Sequence, residues 1–212
     1  MSLKIFIGWD SRETEAYKVC VKSLKKYASQ ELDITPIVKD TLIETGEYYR
    51  PQPEAGSVEF TYTRFLVPYL TNYDGWALFI DCDFLFTRDV SELFDMTNDK
   101  YALMCAKHDY IPKNSIKMDG QKQVSYPRKN WSSLMVFNCE HKDIKNLSVE
   151  NINTKEAKYL HRMEWTDEVG QIPMTYNWLE GDYPNDINPK VIHFTNGGPW
   201  HETWHGDYSD KW

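Results

Sequence analysis

The segment GWALFI, from Gly75 to Ile80, is the feature that most constrains the fold. It is a continuous apolar run, and Asp81 and Asp83 follow it at once. An apolar run of this length without polar alternation predicts a strand that is buried on both faces, as at the centre of a sheet covered by helices. Charged groups at the end of such a strand are costly unless a cation or hydrogen bonds compensate them. The run therefore predicts an α/β fold with a functional group at one strand end.

Strand-like and helix-like segments alternate along the rest of the chain. Lys4–Gly8 predicts a strand, and Ser11–Tyr27 predicts a helix because its apolar residues recur at helical spacing. Leu32–Val38 predicts a second strand, in which Pro36 indicates an edge position or an irregularity. The remaining predictions are a loop at Thr41–Ser57, helices at Thr61–Leu70 and Ile144–Leu160, and buried strands at Tyr101–Ala106, Ser132–Asn138 and Val191–Phe194. This pattern predicts one α/β domain over residues 1–212, with charged residues at strand ends, where open α/β sheets bind ligands.

Composition narrows the classes of protein that the chain can belong to. With 41% hydrophobic and 26% charged residues, it is typical of soluble globular proteins. A formal net charge of -8 argues against a nucleic-acid partner, which would need a basic face. The first residues lack the pattern of a signal peptide, and no apolar segment approaches the ~18 residues of a membrane span. We expect a soluble cytoplasmic protein with free, buried thiols at Cys20, Cys82, Cys105 and Cys139.

Asp81 and Asp83 form a candidate metal site together with a distant histidine. Residues two apart in an extended segment project to the same side, so both carboxylates can reach one ion. Mg²⁺ and Mn²⁺ prefer oxygen ligands and often complete their shells with substrate phosphates. His193, at the end of the apolar run VIHF, is a candidate nitrogen ligand for the same ion. The alternatives are two solvated turn carboxylates and a hydrogen-bonded structural histidine.

Three segments, taken in order, resemble one group of enzymes. FIGWDSRETEAYKVCVKSL, TYTRFLVPYL followed by GWALFIDCDFLFTRDVSELF, and HFTNGGPW are similar to segments of GT-A glycosyltransferases. The similarity is greatest to glycosyltransferase family eight, the glycogenin and lipopolysaccharide galactosyltransferase group. The chain also resembles a glycosyltransferase domain of algal large DNA viruses, in which case the host cytoplasm is the expected location.

The resemblance implies a single-domain GT-A fold, which is Rossmann-like and has a mostly parallel central sheet flanked by helices. About residues 1–95 would form a nucleotide-binding half, and about residues 96–212 an acceptor half that carries the C-terminal metal-ligand motif. The implied partners are a UDP-sugar donor and a carbohydrate or glycan acceptor. The implied cofactor is Mn²⁺, or Mg²⁺ in its place.

The resemblance also implies the residues of a donor site. Asp81, Asp83 and His193 would bind the ion, which bridges the donor diphosphate and stabilises the departing UDP. The other residues placed at the donor are Gly8, Trp9 and Asp10 at the uridine pocket, Arg64 facing the donor, Asn138 at the sugar pocket, and Cys82 between the aspartates, with its side chain expected in the core. Asp10 is also a candidate N-cap of the following helix, and Arg64 a candidate for a surface ion pair.

One departure from the family pattern affects the diphosphate. The family's histidine motif usually ends in Lys-Pro-Trp, whereas this chain has Gly-Pro-Trp at residues 198–200. In the absence of that lysine, the diphosphate would be neutralised by His201, by Arg64, or by the backbone amides of Gly197 and Gly198.

The expected reaction transfers a hexose or deoxyhexose from UDP-glucose or a similar donor to an acceptor hydroxyl, with retention of configuration. Asp167, Glu168 and Gln171 lie where the family places its acidic or amide residue near the anomeric carbon, so they are the candidate catalytic residues. If the reaction inverted, Asp167 or Glu168 would serve as the general base. The polar stretch that contains Gly120 and Pro127 is the candidate lid or acceptor loop. The alternatives are a haloacid-dehalogenase-like Mg²⁺ phosphatase and a non-catalytic carbohydrate-binding module.

Overall fold

A computed structural model describes residues 2–51, 58–109, 111 and 125–212. Within them the strands are β1 (Leu3–Gly8), β2 (Leu32–Ile37), β3 (Trp76–Ile80), β4 (Phe84–Phe86), β5 (Leu103–Cys105), β6 (Leu134–Asn138), β7 (Val169–Gln171), β8 (Trp178–Leu179) and β9 (Val191–His193). The α-helices are α1 (Thr14–Tyr27), α2 (Lys39–Glu44), α3 (Val67–Leu70), α4 (Ser91–Asp95), α5 (Val149–Thr154) and α6 (Ala157–His161). Short 3-10 helices lie at Thr63–Leu66, Trp131–Ser133, Lys142–Leu147, Met174–Tyr176 and Ser209–Lys211.

A mixed sheet forms the centre of the domain, in the order β2-β1-β3-β6-β5-β7. Strand β1 is parallel to both β2 and β3, and β5 is parallel to β7, whereas β6 is antiparallel to both of its neighbours. Strand β3 lies inside the sheet, and its last four residues are fully buried. The predicted α/β class and the central position of the GWALFI strand are therefore confirmed.

Pro36 marks the edge strand of this sheet, as the sequence predicts. Strand β2 pairs only with β1 among the described strands, so an amide hydrogen is not required at Pro36 on its outer side. The prediction of an unbroken loop from residue 41 is wrong, because α2 extends to Glu44 and buries Leu42 against the core. The predicted helix at Thr61–Leu70 is instead a 3-10 turn followed by α3, whose first turn contains Pro68, where proline costs no hydrogen bond.

The direction of β6 determines which side chains lie at the same end of the sheet as Asp81. We call this end, formed by the ends of several strands, the functional edge. Because β6 runs against β3, Leu134 pairs with Ile80, while Asn138 pairs with Trp76 at the opposite end. The edge beside Asp81 thus contains the carboxyl ends of β1, β3, β5 and β7 together with the start of β6. A residue that follows β6 lies at the other edge.

A small second sheet, in the order β4-β9-β8, brings the end of the chain to this edge. Strand β4 begins just after the aspartates and pairs antiparallel with β9, so that Phe84 lies opposite His193. The amide of Phe194 donates to the carbonyl of Asp83 at 3.0 Å. This pairing, and not proximity in sequence, places His193 beside the aspartates.

The core contains the four cysteines as free, buried thiols, as predicted. Trp165 is also buried, at 3% exposure.

Of the two residues named for the predicted lid, Gly120 lies outside the described residues and Pro127 lies in an exposed turn. Among the residues that the structure describes, no helix is long and apolar enough to cross a membrane.

Gly8, at the end of β1, is a glycine because the ring of Phe60 lies against its backbone. A Cβ atom at this position would lie 2.4 Å from two atoms of that ring. We expect Gly8→Ala to lower the free energy of unfolding by about 1–3 kcal/mol through overpacking, measured by urea denaturation. The cost should be clearly smaller in a Phe60→Leu background, which removes the ring. An equal cost in both backgrounds would contradict this explanation.

Candidate metal centre and its surroundings

Asp81, Asp83 and His193 converge at the functional edge of the sheet. Each offers one ligand atom, and the three atoms lie within 4.8 Å of one another. The amide of Asp81 donates to the carbonyl of Ser133 at 2.9 Å, which extends the β3–β6 pairing to the first aspartate. Two carboxylates and one imidazole form a donor set that suits Mn²⁺ and, less selectively, Mg²⁺.

Arg64 holds the first of these carboxylates in place. Its Nη1 atom donates to Oδ1 of Asp81 at 2.7 Å and to the carbonyl of Ser132 at 2.8 Å. Its Nε atom donates to the carbonyls of Phe60 and Thr61, at 3.3 and 3.1 Å. The side chain is 5% exposed, so the alternative of a surface ion pair is wrong. Arg64 therefore compensates a largely buried charge and orients one ligand of the candidate ion.

A chain of hydrogen bonds fixes which nitrogen of His193 faces the aspartates. The hydroxyl of Ser133 donates to the carbonyl of Asn130 at 2.7 Å, so its oxygen accepts from Nδ2 of Asn177 at 2.9 Å. The amide oxygen of Asn177 then lies 2.9 Å from Nδ1 of His193, which must donate to it. The lone pair of the imidazole is consequently on Nε2.

Nε2 of His193 lies 3.4 Å from Oδ1 of Asp83. In the neutral imidazole, whose proton is on Nδ1, both of these atoms are acceptors, and a cation shared between them would satisfy both. The ring of His193 also stacks on Phe84, at 4.2 Å between centroids, which fixes its plane. The residues present thus fit a divalent cation by both the type and the polarity of their atoms.

The predicted uridine-pocket residues lie in and after the end of β1, next to β3. The carboxylate of Asp10 is fully buried and accepts from the guanidinium and amide of Arg12 and from the amide of Glu59. Burial raises the pKa of Asp10, but these hydrogen bonds outweigh burial and lower it. The N-cap interpretation of Asp10 is wrong, because α1 begins at Thr14 and Glu13 occupies the capping position. Trp9 packs edge-to-face on Tyr17, at 4.9 Å.

Cys82 points into the core, as its alternation with the two aspartates predicts. Its thiol lies 3.2 Å from Oε2 of Glu13. Burial raises its pKa well above the usual value, and the carboxylates of Glu13 and Asp83 add to that shift. The thiol is therefore a neutral packing group, and any contact of Cys82 with the donor would use its backbone.

Several predicted sugar-site residues lie at the wrong edge of the sheet. Asn138 ends β6 opposite Trp76, which puts it four strand residues, about 13 Å, from the level of Ile80. Asp167 and Glu168 precede β7, and the carbonyl of Glu168 accepts from the amide of Ala102 at that same far edge. Asn138 lies at the far edge because β6 runs antiparallel to β3, and Asp167 and Glu168 lie there because β7 runs parallel to β5. The assignment of these three residues to the sugar site is therefore corrected.

Gln171, by contrast, lies at the edge where the metal ligands converge. It is the last residue of β7 and pairs with Cys105, at the carboxyl end of β5. Its side chain is exposed. The structure brings it to the same edge as Asp81.

The loop after β9 carries the predicted glycine amides. The amide of Gly197 donates to the carbonyl of Phe194 at 3.1 Å, so it is already used within the loop. A Cβ atom on Gly198 would lie 2.0 Å from the ring of Trp200, so this glycine is required for the tryptophan to pack. The ring of His201 lies 5.4 Å from that of Trp200. The sequence predictions for diphosphate contacts in this loop stay predictions.

No sequence pattern predicts a role for Asn177 at this site. It is fully buried and follows a short 3-10 helix in an aromatic segment, without a motif that predicts a contact with His193.

Two buried carboxylic acids near His193 were also not predicted from the sequence. Glu180 and Asp182 follow β8, and the amide of Glu180 donates to the carbonyl of His193 at 3.0 Å. Burial raises the pKa of Glu180, and the charges of Asp207 and Asp182 act in the same direction.

The fold is that of the GT-A glycosyltransferases. The glycosyltransferase GlyE of Streptococcus pneumoniae TIGR4 superposes with a TM-score of 0.64 and 15% identity, over 98% of this chain and 59% of that chain. The galactosyltransferase LgtC gives 0.57 and 14%, over 95% and 90%. A glycosyltransferase involved in glycosylation of the PBCV-1 major capsid gives 0.57 and 11%, over 93% and 95%. At these identities the likeness defines the fold alone.

A relative in sequence places the chain more narrowly. Protein CDI of Arabidopsis thaliana is 46% identical over 217 residues, which cover 99% of this chain and 84% of that protein. The chain therefore belongs to the family of Protein CDI. No family model matches the sequence. Membership of glycosyltransferase family eight and a relationship to algal viruses stay predictions.

The contact between Asn177 and His193 predicts an effect on metal affinity. Asn177→Leu removes the acceptor that holds His193 with its lone pair toward the ion, so Mn²⁺ should bind about 10–100-fold more weakly. The concentration of free Mn²⁺, measured by electron paramagnetic resonance, gives this affinity. Asn138→Leu is the matched control, since it makes the same change at a buried asparagine of the far edge and should leave the affinity unchanged. Equal losses in both variants would point to general destabilisation.

Proposed function

We propose that this protein is a metal-dependent glycosyltransferase that transfers a hexose or deoxyhexose from a UDP-sugar to an acceptor hydroxyl on a carbohydrate or glycan, with retention. One observation carries the proposal. Asp81, Asp83 and His193 converge on one point at the edge of a GT-A fold, with the lone pair of His193 directed at a carboxylate. The four free thiols fit a reducing compartment, and we place the protein in the cytoplasm.

Asp81, Asp83 and His193 would hold Mn²⁺ or Mg²⁺. The ion, when bound, supplies a Lewis acid that stabilises negative charge on the leaving diphosphate. Arg64 keeps the Asp81 carboxylate fixed, and Asn177 keeps the imidazole of His193 in the ligating tautomer. Because these ligands are held before the substrate arrives, little reorganisation is needed when charge develops.

The positions of the acids bear on the stereochemical outcome. Asp167 and Glu168 lie at the far edge of the sheet and are unsuited to act as a general base here. Gln171 lies at the correct edge, and an amide can orient a sugar without taking up a proton. This arrangement favours retention. If the reaction inverted, Glu180 or Asp182 would be the carboxylates to consider, since both follow β8 beside His193.

The phosphatase alternative is less consistent with the site. It needs Asp81 as a free nucleophile, but Oδ1 of Asp81 accepts from Arg64 at 2.7 Å. It also assigns no role to His193. A carbohydrate-binding module would need no metal ligands at a buried strand end, so it does not explain why Asp83 and His193 face each other.

Asp83→Asn should abolish most metal-dependent binding of UDP. The amide keeps the size of the side chain but removes a negative charge from the donor set, so UDP affinity in the presence of Mn²⁺ should fall at least about 100-fold. Isothermal titration calorimetry of UDP with Mn²⁺, and with a chelator, measures this. Asp33→Asn, at an exposed position of edge strand β2, is the control and should behave as the wild type.

A chelator should reduce UDP binding by the wild type to the level of the Asp83→Asn variant. UDP binding that is insensitive to the chelator would rule out the metal bridge. Incubation with a panel of UDP-sugars, followed by detection of released UDP, would then identify the donor, because glycosyltransferases commonly hydrolyse their own donor slowly when no acceptor is present.

A further inference from the structure

Three basic residues gather around Trp131, next to the start of β6, in an otherwise acidic protein. Lys107 and Arg128 lie beside the ring of Trp131, and Arg128 donates to the backbone carbonyl of Arg162; we call these four residues the basic rim. The chain as a whole has 32 acidic and 24 basic residues. A local excess of positive charge therefore needs an explanation that the metal site, which is itself acidic, does not provide.

The rim is connected to the metal site through the segment before β6. Trp131 immediately precedes Ser132 and Ser133, whose carbonyls accept from Arg64 and from the amide of Asp81. From there the rim extends toward β7, because the ammonium of Lys107 donates to the carbonyl of Val169. Strand β7 lies three strand spacings, about 14 Å, from β3. A substrate bound at the metal would therefore have to extend across the start of β6 to reach the rim.

The side chains of Lys107 and Arg128 are held in place by the ring of Trp131 and by backbone carbonyls. The ammonium of Lys107 and the guanidinium of Arg128 lie 5.8 and 5.2 Å from the centre of the Trp131 ring. The indole is fixed by donation from its Nε1 to the carbonyl of His108 at 2.8 Å. Lys107 donates to the carbonyl of Val169 at 2.8 Å, and Arg128 donates to the carbonyl of Arg162.

Carbonyl contacts orient these cations but leave their charge in place. Within the described part of the chain, Lys107, Arg128 and Arg162 form no ion pair with a carboxylate. The nearest acids in sequence, Asp109 and Glu164, are both exposed and lie two residues from Lys107 and from Arg162. Cations that are oriented and not neutralised are suited to an anionic ligand.

The backbone of the rim is also held in an unusual conformation. Arg128 and Asn130 have φ angles of 62° and 62°, in the left-handed region. Asparagine tolerates this region, but arginine seldom adopts it. Non-glycine residues in this region are concentrated at ligand sites, where the surroundings hold the strained geometry. Here that geometry presents the guanidinium of Arg128 to the ring of Trp131.

We propose that the basic rim binds an anionic substituent, a phosphate or a carboxylate, that one of the two substrates carries on the side of the metal site toward β7. The proposal rests on the proposed glycosyltransferase function and adds a chemical class to its substrates. The substituent belongs either to the acceptor or to the sugar of the donor, and the same cations would recognise it in both cases. Lys107 and Arg128 are its principal contacts.

The test uses the protein and a Lys107→Gln/Arg128→Gln double variant. Glucose 6-phosphate and glucuronic acid serve as anionic acceptor probes and glucose as the neutral probe, with Mn²⁺ and UDP present to fill the metal site. Saturation-transfer NMR titrations give their affinities. UDP-glucuronic acid against UDP-glucose, measured by calorimetry, tests the donor as the source. The control variant, Lys100→Gln/Lys155→Gln, removes two cations that also lie near aromatic rings, at 5.6 and 5.7 Å, but outside the rim.

We expect the wild type to bind at least one anionic probe at least about tenfold more tightly than its neutral counterpart, and only the rim variant to lose that preference. Preference for the anionic monosaccharides identifies the acceptor as the source, and preference for UDP-glucuronic acid identifies the donor. No preference in either arm, or a preference that survives in the rim variant, overturns the proposal. So does a rim variant that binds UDP itself more weakly, because the cations would then serve the diphosphate.

Failure of the proposed function has a different signature. If UDP binding does not depend on Mn²⁺, the glycosyltransferase proposal fails, and the monosaccharide arm is repeated without UDP. A preference for the anionic probes that the rim variant loses would then still support the anion site. Urea denaturation of both double variants checks that neither loses affinity through unfolding.

Discussion

The ion pair between Arg64 and Asp81 is the interaction on which the site depends. Asp81 ends a buried strand, where an uncompensated carboxylate would be strongly destabilising. The guanidinium that compensates it is itself anchored to the carbonyls of Phe60, Thr61 and Ser132. One residue thereby links the turn before α3, the end of β3 and the start of β6. The first residue of the candidate metal centre is thus positioned by the packing of the fold, and its single negative charge is already paired with a guanidinium.

The second and third ligands depend on a polar network that crosses between the two sheets. The β4–β9 pairing sets the distance between Asp83 and His193. The hydrogen bond that Nδ1 of His193 donates to the amide oxygen of Asn177 sets the orientation of the imidazole. Ser133 belongs to the same network and also lies beside Asp81. All three ligands are therefore coupled through the segment before β6. A buried network of this kind specifies one geometry because every alternative leaves a donor or acceptor unsatisfied.

Local pattern in the sequence was sufficient to predict β1, α1, the edge position of β2, the central β3 and the three residues that converge at the candidate metal centre. It was insufficient for Asn138, Asp167 and Glu168, because their positions depend on the direction of β6. A strand that is buried on both faces has the same apolar pattern whether it runs parallel or antiparallel to its neighbours. Asn177 was missed for a related reason, since its partner His193 reaches it through the pairing of β8 with β9.

Charge at the functional edge separates into two neighbouring regions. The carboxylates of Asp81 and Asp83 attract a cation, and that cation attracts a diphosphate. The ammonium of Lys107 lies at β7, three strand positions from β3, where the field of a metal-bound diphosphate would be partly screened. Had this cation lain at the ion itself, it would have competed with the ion for the carboxylates, as Arg64 does for one oxygen of Asp81. Under the proposed function, its separation from the ion would allow one open edge to accept a nucleotide diphosphate and a second anionic group at once.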